Sequence, residues 1–76
     1  QDISIPEHTC FSGEIGLSGE VRPVDRIIQR IKEAEKLGFN QIFISEMNKR
    51  NLKLSDFNIE INLVKKVDQV FEKIFG

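Results

Sequence analysis

Ser12-Gly13-Glu14-Ile15-Gly16-Leu17-Ser18-Gly19-Glu20-Val21-Arg22-Pro23-Val24 is the stretch that decides how this chain folds. Glycines recur at every third position between short apolar residues, and a proline closes the run. Neither a helix nor an unbroken strand is written this way. From Thr9 to Leu17 the residues alternate, with Phe11, Gly13, Ile15 and Leu17 on one face and Cys10, Ser12, Glu14 and Gly16 on the other. Ser18-Gly19 supplies a tight turn, because glycine takes positive φ at little steric cost, and Glu20 to Pro23 forms the returning arm of a hairpin. Pro23 sets its own φ and drives Arg22 into an extended conformation, so the spacing predicts a helix opening at Val24 or Asp25.

That helix carries Val24, Ile27, Ile28, Ile31, Ala34 and Leu37 at three-four spacing, which defines one buried stripe. Asp25 near its start and Lys32 and Lys36 near its end suit the helix dipole. Gly38 reads as the left-handed stop, with Phe39 as its apolar follower. Gln41-Ile42-Phe43-Ile44-Ser45 is a dense β-former run of the kind buried on both faces. Glu46 to Asn58 is polar, anchored by Leu52, Leu54 and Phe57, with room for one short helical turn. Ile59 to Leu63 alternates as a further extended segment, and Lys66 to Phe75 forms a second helix with Val67, Val70, Phe71 and Ile74 inward. Residues 1–8, around Pro6, read as a leading loop before residues 9–76. The expected fold is one α/β (α+β) domain, a small mixed sheet with a β-hairpin and two covering helices.

The chain has 76 residues, 39% of them hydrophobic, which allows one small domain with a thin core. A net charge of -1 gives no nucleic-acid footprint over the chain as a whole. A single cysteine, Cys10, rules out an internal disulfide framework and fits a reducing cytoplasm. No apolar run predicts a membrane span and no secretory leader is expected. The chain opens on Gln1, as expected of a piece of a longer protein.

Gly13-x-x-Gly16-x-x-Gly19 has the spacing of neither a Walker loop nor a dinucleotide loop, so turn and packing roles explain it better. His8 stands alone near Cys10, which predicts no metal set. Ser12, Ser18, Ser45 and Ser55 lack the context of an activated nucleophile, and Glu14 and Glu20 read as solvated side chains. No catalytic set is expected. The cations are more informative. Arg26 and Arg30 lie four apart on one helix face, and Asn48-Lys49-Arg50 with Lys53 makes a small basic loop. Arg22, Arg26, Arg30, Lys49 and Arg50 are the candidates for phosphate contact, against the plain alternative of an ordinary solvated face in a chain that is 30% charged.

Gly13 to Val24, together with Gln29-Arg30-Ile31-Lys32-Glu33-Ala34-Glu35-Lys36-Leu37-Gly38-Phe39 and the segment from Ile59 to Phe75, resembles the C-terminal domain of the bacterial RadA (Sms) DNA-repair family. That domain is in turn similar to the proteolytic domain of Lon, whose pattern is visible in Gly13-Glu14-Ile15, Gly19, Pro23 and Asn48-Lys49-Arg50. The resemblance therefore implies a Lon-protease C-terminal-like half domain. Two departures separate the families. Lon-type sequences carry Gly-Gly where this chain has Asp25-Arg26, and a catalytic lysine where it has Arg30. The implied Lon mechanism needs a neutral lysine amine to deprotonate a serine that precedes it, ahead of Gln1. A lysine can be tuned to that state, whereas arginine stays protonated.

By this resemblance the chain is a non-catalytic piece of an ATP-dependent repair and recombination protein that processes branched DNA. The parent is expected to be a hexamer holding ATP, magnesium and zinc, with no cofactor in these residues. The piece is expected to serve subunit assembly and DNA contact, and to dimerise when isolated, since half of a larger sheet leaves an edge unpaired. The alternatives are a fragment of a Lon-type ATP-dependent serine peptidase and a free-standing interaction module.

Overall fold

The computed structural model describes residues 8–76; the leading-loop reading falls, apart from His8, outside the described residues. Five strands and two helices follow one another as β1 (Thr9–Ser12), β2 (Glu14–Ile15), β3 (Val21–Arg22), α1 (Ile27–Lys36), β4 (Gln41–Ser45), β5 (Glu60–Val64) and α2 (Val67–Phe75). The α/β expectation holds, but the two pairing senses lie in separate sheets. One is three-stranded and parallel in the order β1-β4-β5; the other is the antiparallel pair β2-β3.

β4 is the central strand, as its composition predicts. Ile42, Phe43 and Ile44 are fully buried, and alternate side chains go to opposite faces. Ile42 and Ile44 join Ile27, Ile31, Ala34 and Ile59 in one cluster. Phe43 joins Val21, Val64 and Val70 in the other. α1 therefore covers one face, while α2 and the hairpin strand β3 cover the opposite one. Each fully buried Ile, Phe or Val contributes about 1.5–3 kcal/mol of transfer free energy. The parallel step from β4 to β5 needs a crossover. It consists of two short 3-10 turns, Glu46–Asn51 and Leu54–Asp56, where the sequence suggested one. Leu52 and Phe57 from this segment pack on the α1 cluster, so the crossover runs over that face.

The long alternating arm expected from Thr9 to Leu17 is divided at Gly13. Thr9–Ser12 pairs with β4, and Glu14–Ile15 pairs with β3. A Cβ on Gly13 would lie 2.9 Å from Val21 Cγ1, so only glycine lets the buried Val21 approach this corner. The turn differs slightly from Ser18-Gly19. Leu17 and Ser18 are its central residues, closed by Gly19 N–H donating to the Gly16 carbonyl at 3.0 Å and Gly16 N–H to the Glu20 carbonyl at 2.9 Å. Gly19, at φ 81°, takes the left-handed position of this three-residue loop. Leu17 is at the tip, fully exposed, and not on an apolar face.

α1 begins at Ile27, two or three residues later than Pro23 suggests, because Arg26 is left-handed (φ 56°, ψ 42°) and ends the extended run. Its carbonyl accepts the N–H of Arg30. Ile27, Ile31 and Ala34 are buried, but Ile28 and Leu37 are exposed, so the stripe is narrower than the sequence implies. The stop is as expected. Phe39 N–H donates to the Ala34 carbonyl and Gly38 N–H to the Glu35 carbonyl, the paired closure of a glycine-ended helix. On α2, Val70 is buried and Val67 and Ile74 are half-buried. Phe71 is exposed instead of inward and stacks on Phe75, with ring centres 6.1 Å apart.

Candidate nucleic-acid interface

The basic residues enter through three local structures. Arg22 ends β3, exposed, and its guanidinium donates to the Glu20 carboxylate at 2.9 Å. Glu20 also accepts the Ser18 N–H. Its own backbone N–H, followed by Arg22 and Ser18, holds the carboxyl below the usual carboxylate range. This ties up one side of Arg22.

Arg26 and Arg30 lie at the start of α1, both exposed. Arg30 Nε donates to the Asp25 carbonyl at 2.8 Å, which ties the guanidinium to the bend ahead of α1. Arg26 and Arg30 line a groove of about 380 Å³ between β1 and α1, along with Cys10, Ser12, Glu33 and Leu37. Burial raises the pKa of the Cys10 thiol. Among the described residues no acid forms an ion pair with Arg26 or Arg30.

Lys49 and Arg50 are exposed on the first 3-10 turn after β4, whose start is capped by Ser45 Oγ accepting the Met47 N–H. Asn48, one residue earlier, is buried, and its side chain faces the other basic segment. Its Oδ1 accepts the Val24 N–H at 3.1 Å, and its Nδ2 donates to the Val24 carbonyl at 3.0 Å. In the sequence Asn48 is only the first residue of a basic loop. Its partner lies 24 positions away, and no local signal announces the pairing.

A second connection missed from sequence is Glu35, whose Oε2 accepts the N–H groups of Asn58 and Ile59 and fastens α1 to the approach to β5. Among the described residues, no three His, Cys, Asp or Glu side chains come together to hold a metal ion. No helix of the described residues is long and apolar enough to cross a membrane.

A parallel three-stranded sheet, a glycine-cornered hairpin packed on the second helix, and a polar bend feeding the first helix make up the domain. The chain belongs to the family described as the Lon protease (S16) C-terminal proteolytic domain, whose model matches it over residues 1–76. Within that lineage it is similar to proteins named DNA repair protein RadA. It is 58% identical to that of Listeria monocytogenes over 45 residues, 59% of this chain and 10% of the relative. It is 42% identical to that of Streptococcus pneumoniae over 67 residues, 88% of this chain and 16% of the relative. It is 62% identical to that of Bacillus subtilis over 39 residues, 51% of this chain and 8% of the relative. The chain thus spans between 8% and 16% of the length of these relatives. The expected kinship with the RadA branch of the Lon-like domains holds.

Proposed function

We propose that this chain is the Lon-like part of a RadA-type DNA repair protein, in which it does not cut peptides but contributes to subunit assembly and to holding DNA. One observation carries the reading. The position that the resemblance aligns with the Lon lysine is Arg30, an exposed guanidinium whose Nε is engaged by the Asp25 carbonyl. A guanidinium keeps its charge at any working pH and cannot accept the proton of a serine. It is well suited to contacting a phosphate. Arg22, Arg26, Lys49 and Arg50 are the further contacts in this reading.

ATP, magnesium and zinc belong, on this reading, to the remainder of a hexameric cytoplasmic parent that acts on branched DNA. The described residues do not fit these groups. They bring no metal-ligand cluster together, and α1 is preceded by the side-chain-rich bend Pro23-Val24-Asp25-Arg26 where a phosphate cradle would need glycine backbone.

The family's description as proteolytic supports the rival, a peptidase. Two assays separate them. Titration of a short labelled DNA duplex with the 76-residue chain, from about 20 to 200 mM salt, should show weak binding that falls steeply with salt. Incubation of the full-length parent protein with casein should yield no cleavage. Casein cleavage that Arg30→Ala abolishes would overturn the reading in favour of the peptidase. Absence of DNA binding at the lowest salt would remove the DNA role and leave assembly.

A further inference from the structure

The two segments joined through Asn48 have the opposite charge balance from the rest of the molecule. Residues 22–30 and 46–53 together hold six cations, Arg22, Arg26, Arg30, Lys49, Arg50 and Lys53, against two anions, Asp25 and Glu46. The rest of the chain is correspondingly acidic, since the total is -1. These segments are far apart in sequence, and bringing like charges together is unfavourable unless something holds them. Leu52 packs on the cluster that holds Ile27, and the amide of Asn48 joins the two segments by hydrogen bonds. That amide meets both the donor and the acceptor of Val24, which a carboxamide does through two separate atoms and an ionised carboxylate, having no donor, does not. Its burial shields both hydrogen bonds from water.

We infer that Asn48 is a positioning residue. It locks the Arg22–Arg30 segment against the Lys49–Arg50 turn, so that two short basic runs act as one phosphate-facing surface on a chain that is acidic overall. This inference rests on the proposed DNA contact for its purpose, but not for its geometry. A Lys49–Arg50 turn freed from Val24 would still carry its charges. It would no longer hold them in register with Arg26 and Arg30 along one phosphate backbone.

The test compares the wild-type chain, Asn48→Ala, and Ile44→Val as a core control, with the temperature chosen so that the two variants are equally folded. Each is titrated with the same short duplex across a salt series. The slope of log affinity against log salt reports the number of phosphates engaged, about 0.9 per contact. Loss of stability alone lowers the competent fraction and leaves the slope unchanged. Asn48→Ala should lower the slope by about 2, as the contacts of Lys49 and Arg50 drop out, while Ile44→Val keeps the wild-type slope. An unchanged slope in Asn48→Ala overturns the inference. Amide exchange measured without DNA decides it separately. Faster exchange at Val24 in Asn48→Ala, together with loss of nuclear Overhauser contacts between residues 24–26 and 47–49, supports the locking role even if wild type binds no duplex. Retention of both in Asn48→Ala overturns it.

Discussion

Glu35 and Ile59, 24 residues apart, are joined by a carboxylate oxygen that accepts the Ile59 N–H at 3.2 Å while also accepting the N–H of Asn58. The 3-10 turn Leu54–Asp56 ends before the start of β5. A side chain on α1 supplies the acceptor that a preceding turn would otherwise provide, and Ile59 is thereby held in the α1 cluster. Glu35→Ala should destabilise the domain by about 1–2 kcal/mol, in the range for hydrogen bonds to a charged group that is partly exposed. Glu35→Gln, which retains an acceptor, should cost less. Urea unfolding of the three proteins checks the order.

Phe43 sits at the centre of the face covered by α2 and the hairpin, fully buried among Val21, Val64 and Val70. Phe43→Ala removes a ring that neighbours on a small sheet cannot refill and should cost about 3–5 kcal/mol. That is comparable to the whole stability expected of a core this size. The variant should show no cooperative thermal transition, whereas Phe43→Leu should still melt in one step at a lower temperature.

Arg26 couples two properties with opposite signs. Its backbone is left-handed, a conformation that costs a residue with a Cβ about 1–2 kcal/mol. Arg26→Gly should raise stability by up to about 1 kcal/mol, the gain being offset by the freedom of glycine in the unfolded chain. The same change should reduce the salt slope of duplex binding by about 1. Calorimetry and the salt series measure the two effects independently. A variant that is more stable and binds duplex as strongly as wild type would remove Arg26 from the DNA surface.

Glu20 has a carboxyl held below its ordinary value by its own N–H, by Arg22 and by Ser18. The folded-state pKa is lower than the unfolded one, so the contribution is fully present above the unfolded value. It is lost as pH falls through the folded value. Melting temperatures of wild type and Glu20→Gln, taken between about pH 7 and pH 2, should therefore differ at neutral pH and converge only once the pH has fallen through the lowered folded-state value. A gap that persists at the acid end would show that the carboxylate charge is not what stabilises the hairpin.

Most elements were legible because their signals are local. The alternating run of β4, the three-four spacing of α1 and α2, and the stop at Gly38-Phe39 each depend on neighbours within a few residues. The extended course of the chain through Arg22 into Pro23 was legible for the same reason. The misreadings came where a distant residue intervenes. Gly13 divides a strand because Val21 packs against it. α1 starts late because Arg26 turns left-handed after a segment held by Asn48. Phe71 lies outside because Val70 already fills the position against Phe43 and Val64.

By itself, the sequence determined the course from α1 through β4 and β5 to α2, and the stop of α1 at Gly38-Phe39. Those are properties of side-chain size, branching and charge acting over a turn or two of backbone. Only the tertiary structure decided that β1 pairs with β4 instead of continuing the hairpin, that α1 and α2 take opposite faces, and that Arg26 and Lys49 belong to neighbouring segments. Those outcomes depend on contacts closed by Val21, Phe43 and Asn48 across more than twenty residues. Such contacts form only when the buried surface they create outweighs the loop entropy of closing them, a balance no short window of sequence contains.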